Sequence, residues 1–258
     1  MTLSVGDAVG DGLDRLTDGR LAAAFVAFYA AHLALTVGTQ SQLAAQRETF
    51  EEEAFLFDPE LLPPELPLAL EIPLGAAILL WTLAMVALVT SSILALRALL
   101  GAERPGPRTD GLLVATVHGV VAGIAAGIAV GIGLALFVLP GLFLATVLAF
   151  TYPYVALEGE NALSAMRRSW SLTTGNRLRV FAVVVVIGLT FFSITFVGGV
   201  VALALGAFPL LAEVTNVAFV AIAWLASLAI LASAFDQLEA ARAEAEAKWD
   251  GIDDELLP

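Results

Sequence analysis

The sequence predicts an all-α, polytopic membrane protein with six transmembrane helices. Of its 258 residues, 59% are hydrophobic and 14% are charged, and the mean hydropathy is +0.90. This apolar surface exceeds what one soluble core of this size buries, so a soluble enzyme is excluded. The apolar residues form long continuous runs, which are typical of spanning helices and not of the alternating strands of an outer-membrane barrel.

Six apolar runs are long enough to cross the hydrocarbon core, which takes about 17 to 25 helical residues. They cover residues 21–38, 72–96, 111–139, 141–157, 180–205 and 214–235. Leu139-Pro140-Gly141 separates the third run from the fourth, and this Pro-Gly signal predicts a tight hairpin. Pro153 lies near the end of the short fourth run, so we expect that helix to be tilted, kinked or partly interfacial.

Residues 1–20 are predicted to form a cytoplasmic amphipathic segment. Four aspartates recur at helical spacing, opposite an apolar stripe of Val5, Val9, Leu13 and Leu16. Such a helix could lie along the membrane surface. No basic stretch precedes the first apolar run, which argues against a cleaved signal peptide.

The basic residues predict the orientation. With six spans, 11 of the 12 Lys and Arg residues fall on one side, and only Arg47 falls on the other. Because positive residues accumulate on the cytoplasmic side, both termini are predicted to be cytoplasmic, in the plasma membrane. Residues 158–179 and an acidic tail, 236–258, share that side, while residues 39–71 form an acidic, proline-rich extracellular loop.

The charge balance restricts the partners. The 25 Asp and Glu residues against 12 Lys and Arg give a net charge of −13, which argues against nucleic acid. Lys248 is the single lysine, and an acidic, lysine-poor surface predicts a protein of a halophilic archaeon. The carboxylates of the 39–71 loop could bind a hard cation or simply remain solvated, and no calcium-loop spacing occurs, so no metal site is predicted. There is no cysteine, which excludes disulfides and thiolate sites.

Residues 158–179 are predicted to be a cytoplasmic amphipathic segment at the headgroup layer. Asn161 is a suitable N-cap and Gly175 a suitable C-cap, and Leu163, Met166 and Trp170 share one face. A Trp-bearing apolar face beside arginines suits the lipid interface. The candidate headgroup residues are Arg167, Arg168, Trp170, Arg177 and Arg179. In the alternative interpretation, these arginines only set the topology.

This segment also carries a resemblance. Tyr152-Pro153, Glu158 and the stretch Ala165-Met166-Arg167-Arg168-Ser169-Trp170 resemble a pattern in a broad set of six-span membrane proteins. The set includes the membrane domain found with some glycerophosphodiester phosphodiesterases and related integral membrane proteins of no assigned function. The resemblance implies a six-helix architecture. The phosphodiesterase activity of that set belongs to a separate soluble domain with metal-binding acids and histidines, so the resemblance implies no catalytic residue and no cofactor here.

Three polar residues at membrane depth are further candidates: His32, His118 and Asn216. An intramembrane histidine can relay protons, or it can form a structural hydrogen bond between helices. The chain has no zinc-protease helix, nucleophile elbow or phosphate loop. The sequence therefore predicts no catalytic residue.

The third run has glycine at every fourth position: Gly119, Gly123, Gly127 and Gly131. Such a face predicts close packing, either at the centre of the helix bundle or in a dimer contact. The alternative is a flexible transporter helix, but such helices usually have a counterpart in the other half of the chain, and we find none.

These patterns predict a non-catalytic membrane module that contacts membrane lipids through residues 158–179, or that contacts a membrane-protein partner or a second copy of the chain. The alternative is a small-solute or ion transporter, in which His32, His118 and the glycine-rich third helix line a polar path. A transporter requires polar groups that converge from several helices, whereas a module requires a core of small residues and a functional cytoplasmic rim.

Overall fold

The computed structural model describes residues 3–17, 21–52, 66–101 and 111–256, and all regular secondary structure in these ranges is α-helical. The helices are α1 Val5–Arg15, α2 Leu21–Glu52, α3 Leu74–Leu100, α4 Leu112–Leu136, α5 Val138–Val147, α6 Thr151–Glu158, α7 Ala162–Thr173, α8 Arg177–Ala204 and α9 Pro209–Leu256. Six segments are long and apolar enough to cross a membrane: Leu21–Arg47, Leu74–Leu100, Leu112–Leu136, Val138–Glu158, Arg177–Ala204 and Pro209–Lys248. The predicted all-α, multi-pass class is therefore confirmed.

Two helices run past the ends of their predicted spans. Helix α2 continues to Glu52, so the first part of the predicted 39–71 loop is helical. Helix α9 continues to Leu256, so the predicted 236–258 tail is mostly a helical extension of the sixth span. Both extensions are rich in Ala, Gln, Arg and Glu, which favour helix although they end the apolar run. Residues 53–65, with three of the four loop prolines, lie outside the described part.

The third and fourth spans form the predicted hairpin, but the turn comes earlier than Pro140-Gly141. The break is at Phe137, whose backbone is extended at φ −158° and ψ 147°. Pro140 lies in the first turn of α5, where its missing N–H has no intrahelical partner to lose. A Cβ added to Gly133 would lie 2.8 Å from the Gly141 Cα, so the two helix backbones touch.

The fourth span is broken into α5 and α6, as its proline suggested. Pro153 lies in the first turn of α6 and has no N–H to donate to the preceding turn, so a continuous helix would lose a bond there. The Ser169 hydroxyl donates to the Val147 carbonyl at 2.7 Å and accepts from the Phe150 N–H at 3.1 Å. One buried serine of α7 thus satisfies both sides of the break.

The chain divides into two compact units. The first comprises Met1–Leu21, Ser92–Thr190 and Ala226–Pro258, and the second comprises Ala22–Ser91 and Phe191–Leu225. In the first unit, the buried Phe235 ring lies 5.9 Å from the Phe150 ring and 5.1 Å from the Tyr154 ring, nearly perpendicular to the latter.

The second unit has an aromatic cluster around the buried His32 and the partly exposed Trp224. Trp224 contacts the rings of His32, at 6.2 Å, and Phe191, at 5.7 Å. Gly38 lets α2 approach α3, because a Cβ there would lie 3.0 Å from the Trp81 backbone. In the second half of α2, the Gln40 side chain accepts from the Leu68 N–H at 2.8 Å, which holds the segment before α3 against this helix.

Helix α1 packs on α9 through small residues and not through its predicted apolar stripe. Ala8 and Gly12 are buried, and a Cβ at Gly12 would lie 2.7 Å from the Ile230 Cα. Arg15 completes the contact with an ion pair to Asp236 at 2.9 Å. Because the small residues allow the closest backbone approach, they face the protein, and stripe residues such as Leu13 stay partly exposed.

Candidate lipid-contact site

Helix α7 has the predicted N-cap, Asn161, but its C-cap is Thr174 and not the predicted Gly175, which is the next residue. The Asn161 side chain caps it by accepting from the Ser164 N–H at 3.0 Å. Glycines with positive φ stand on both sides of it, Gly159 at 63° and Gly175 at 86°, and reverse the chain before and after the helix. The candidate segment is therefore a short helix held between two glycine turns.

The two faces of α7 have different environments. Ala165, Ser169 and Leu172 are buried against the first unit. On the opposite side, Leu163 is 59% exposed and Trp170 is 41% exposed. A Trp-bearing apolar face with this much exposure is suited to the interfacial layer of a membrane.

The Arg168 side chain forms ion pairs and a ring contact with other residues of the protein. Its guanidinium pairs with Glu158 and, at 2.9 Å, with Glu160, and it lies 4.3 Å from the centroid of the Tyr154 ring. The Tyr154 hydroxyl in turn donates to Glu239 of α9 at 2.5 Å. Arg168 therefore joins α7 to α6 and to the tyrosine that contacts α9, and its charge is already neutralised.

The side chain of Arg167 has a different environment from that of Arg168. It is exposed and makes no ion pair or hydrogen bond with any residue in the described part of the chain. Its side chain lines an open groove of about 340 Å³. The other lining side chains are mostly apolar and come from α4, α5 and α7: Ala129, Leu144, Leu148, Met166 and Trp170.

The guanidinium of Arg177, the first residue of α8, lies beside two aromatic rings, those of Phe143 in α5 and Trp170 in α7. The Phe143 and Trp170 rings meet edge to face at 5.5 Å, and the Arg177 guanidinium carbon lies 5.4 Å from each ring centroid. Its Nε is buried with no hydrogen-bond partner, and among the described residues no carboxylate pairs with the guanidinium. Cation–π contacts with the two rings hold the guanidinium near them, while its charge has no carboxylate partner among the described residues.

Arg179 is exposed, and the one hydrogen bond of its side chain to the described residues is a long 3.5 Å contact with the Asn176 side chain. The structure thus divides the predicted headgroup residues into two kinds. Arg167 and Trp170 line the α4–α5–α7 groove, and Arg177 lies beside Trp170. Arg168 instead forms ion pairs and a ring contact within the protein. Sequence reasoning missed Phe143 and Tyr154 as partners of these arginines, because neither lies within helical spacing of them.

The predicted glycine face of α4 is used only along its first half. Gly119 is buried, and a Cβ on Gly123 would collide with the Tyr152 hydroxyl. Gly127 and Gly131 have open space around the position of a Cβ. Close packing inside the chain therefore accounts for the first two glycines and not for the others.

The three intramembrane polar candidates fall in both units, with His32 and Asn216 in the second and His118 in the first. The His32 Nδ1 lies 2.9 Å from the Phe28 carbonyl. No hydrogen bond joins His32 to Asn216 in the described ranges. The same ranges contain no group of three or more His, Cys, Asp or Glu residues that could hold a metal ion.

A comparison with known families finds one match. The model of a family described as "Domain of unknown function (DUF7847)" matches residues 3–238, from the start of α1 into α9. No curated protein and no solved structure gives a significant match. The family description names no activity, so the resemblance to the phosphodiesterase-associated membrane domain stays a prediction.

Proposed function

We propose that this chain, which belongs to the DUF7847 family of unknown function, is a non-catalytic membrane module that binds anionic lipid headgroups through residues 158–179. One observation carries the proposal. Arg167 and Arg177 have no carboxylate partner among the described residues, and both adjoin the exposed Trp170. Unneutralised arginines beside an interfacial tryptophan match a lipid phosphate above an acyl layer.

The charge distribution supports the same assignment. The protein has a net charge of −13, yet four of its twelve basic residues fall between positions 167 and 179. We propose that this cluster faces the cytoplasmic leaflet of the plasma membrane, with both termini on the same side. Each basic residue at an anionic leaflet contributes about 1 kcal/mol of attraction. The nearby carboxylates Glu158 and Glu160 both pair with Arg168, a trio with a net charge of −1, and neither forms an ion pair with Arg167, Arg177 or Arg179 in the described part of the chain.

Native mass spectrometry of the protein extracted from its membrane tests the proposal. Replacing Arg167 and Arg177 with Gln should remove about 2 kcal/mol of binding, which is roughly a thirtyfold loss of lipid affinity. The matched control is Arg242→Gln with Lys248→Gln, which removes the same charge from the exposed part of α9.

The proposal holds if the first pair of substitutions strips phospholipid from the folded protein and the control pair does not. Equal retention by both variants would leave the cluster as a topology signal and make a protein partner the better explanation. Equal loss in both variants would show that binding depends on net charge alone and not on the α7 site. Monodisperse elution of each variant on size exclusion confirms that it is folded.

A further inference from the structure

The groove beside α7 extends the site from the headgroup layer into the apolar layer. We propose that it holds one resident phospholipid, with a single hydrocarbon chain between α4, α5 and α7 and the phosphate on Arg167 and Arg177. This inference rests on the proposed function and adds to it a defined chain-binding site.

The lining favours a hydrocarbon chain. Ala129 of α4, Leu144 and Leu148 of α5, and Met166 of α7 present apolar side chains on three sides of the groove. Its volume of about 340 Å³ lies at the lower end of the roughly 300–1,000 Å³ typical of ligand pockets. A groove of this size accommodates a segment of one chain and not both chains of a lipid.

The rim favours a phosphate. Arg167 belongs to the groove lining, as does Trp170, whose ring centroid lies 5.4 Å from the Arg177 guanidinium carbon. The terminal nitrogens of Arg177 make no hydrogen bond to any described residue, and the guanidinium carbon lies 5.4 Å from the Phe143 and Trp170 ring centroids, which places it at the rim before a ligand arrives. Arginine pairs with phosphate through two parallel hydrogen bonds, so a prepositioned guanidinium gives a directional contact.

The amino-acid composition favours a lipid bound in a defined site over long-range electrostatic attraction to the membrane surface. The acidic, lysine-poor sequence is the kind expected at high ionic strength, where the Debye length falls to about 3 Å at 1 M salt. Attraction at longer range is then screened. Contact hydrogen bonds together with a buried chain remain effective, because neither depends on charge acting at a distance.

The test uses the full chain, stripped of lipid in detergent and titrated in native mass spectrometry. The probes are phosphatidylglycerol and chain-free glycerol phosphate. Ala129→Phe fills the groove without a change of charge, and its control is Ile132→Phe, which adds a ring on an exposed position of the same helix. Leu144→Trp is a second groove-filling variant in case Ala129→Phe does not fold.

We expect wild type and Ile132→Phe to bind phosphatidylglycerol equally, and groove filling to weaken binding about tenfold, the effect of roughly two methylene groups that lose their burial. Arg177→Gln should weaken binding to a similar extent. If Arg177→Gln weakens binding and the filled groove does not, the chain site is overturned while headgroup binding stands. If neither substitution matters, both proposals fail. Equal binding of glycerol phosphate would show a site for soluble phosphates and overturn the resident lipid.

Discussion

Two adjacent arginines should respond in opposite ways to the same substitution. Arg168 pairs with Glu158 and Glu160 and stacks on Tyr154, so Arg168→Gln removes two partly exposed ion pairs and one ring contact. Such ion pairs contribute about 0.2–1 kcal/mol each, and the ring contact contributes about 0.5–1 kcal/mol. The free energy of unfolding should therefore fall by about 1–2 kcal/mol, after allowance for solvent screening.

Arg167→Gln is the matched control, because it removes the same charge one position earlier on the same helix. Arg167 has no partner among the described residues, so its loss should change the free energy of unfolding by less than about 0.5 kcal/mol. Reversible unfolding in mixed detergent micelles measures both values. Lipid retention should show the opposite order, with a loss for Arg167→Gln and little change for Arg168→Gln.

The reasoning would be refuted if both variants lost stability equally, because Arg168 would then have no special role in joining α7 to α6 and Tyr154. It would be refuted equally if Arg168→Gln released lipid while Arg167→Gln retained it. In that case the network would open in the membrane and Arg168 would be the headgroup ligand.

Other predictions concern helix packing and can be measured by the same unfolding assay. Gly12→Ala should destabilise the protein by about 1–3 kcal/mol, since its Cβ would meet the α9 backbone, whereas Gly10→Ala should be neutral or stabilising. Gly133→Ala should open the α4–α5 hairpin at a similar cost, and Gly127→Ala, with open space around it, should not. Phe235→Ala should cost about 3–5 kcal/mol by leaving a cavity in the aromatic core.

Hydropathy predicted the number of spans but not all the helix ends. An apolar run ends where polar residues begin, whereas a helix ends where the backbone can no longer continue. Residues 39–52 and 236–256 are polar but contain strong helix formers, so α2 and α9 extend through them. Pro140 marked the hairpin correctly, yet a proline can also start a helix, and the turn therefore formed at Phe137.

The candidate segment was visible in the sequence because its N-cap, apolar face and arginines are local features. The sequence did not show which of these arginines pairs with carboxylates inside the protein. It depends on Tyr154 and on its bond to Glu239, 85 positions away in the chain. Ser169 shows the same limit. The residues on either side of Ser169, an arginine and a tryptophan, do not indicate that it bonds across a helix break. Its partners Val147 and Phe150 lie at the break between α5 and α6, about 20 positions earlier in the chain.

The glycines of α4 show how an identical local pattern can have two outcomes. All four share one spacing, so the sequence assigned all of them to packing. In the structure Gly123 faces Tyr152 across the α4–α6 contact, while Gly127 and Gly131 meet no neighbour. The difference arises from which residues lie opposite each glycine, which is a property of the three-dimensional arrangement.

The most direct test of lipid binding at α7 is photocrosslinking with a phosphatidylglycerol that carries a diazirine at the end of one chain. After illumination in vesicles, peptide mapping by mass spectrometry locates the adducts. The proposed site predicts adducts concentrated on Leu144, Leu148 and Met166, and their loss in Ala129→Phe but not in Ile132→Phe. Adducts spread evenly over the exposed faces of α3 and α8 would show an unspecific lipid annulus and contradict a defined site at α7.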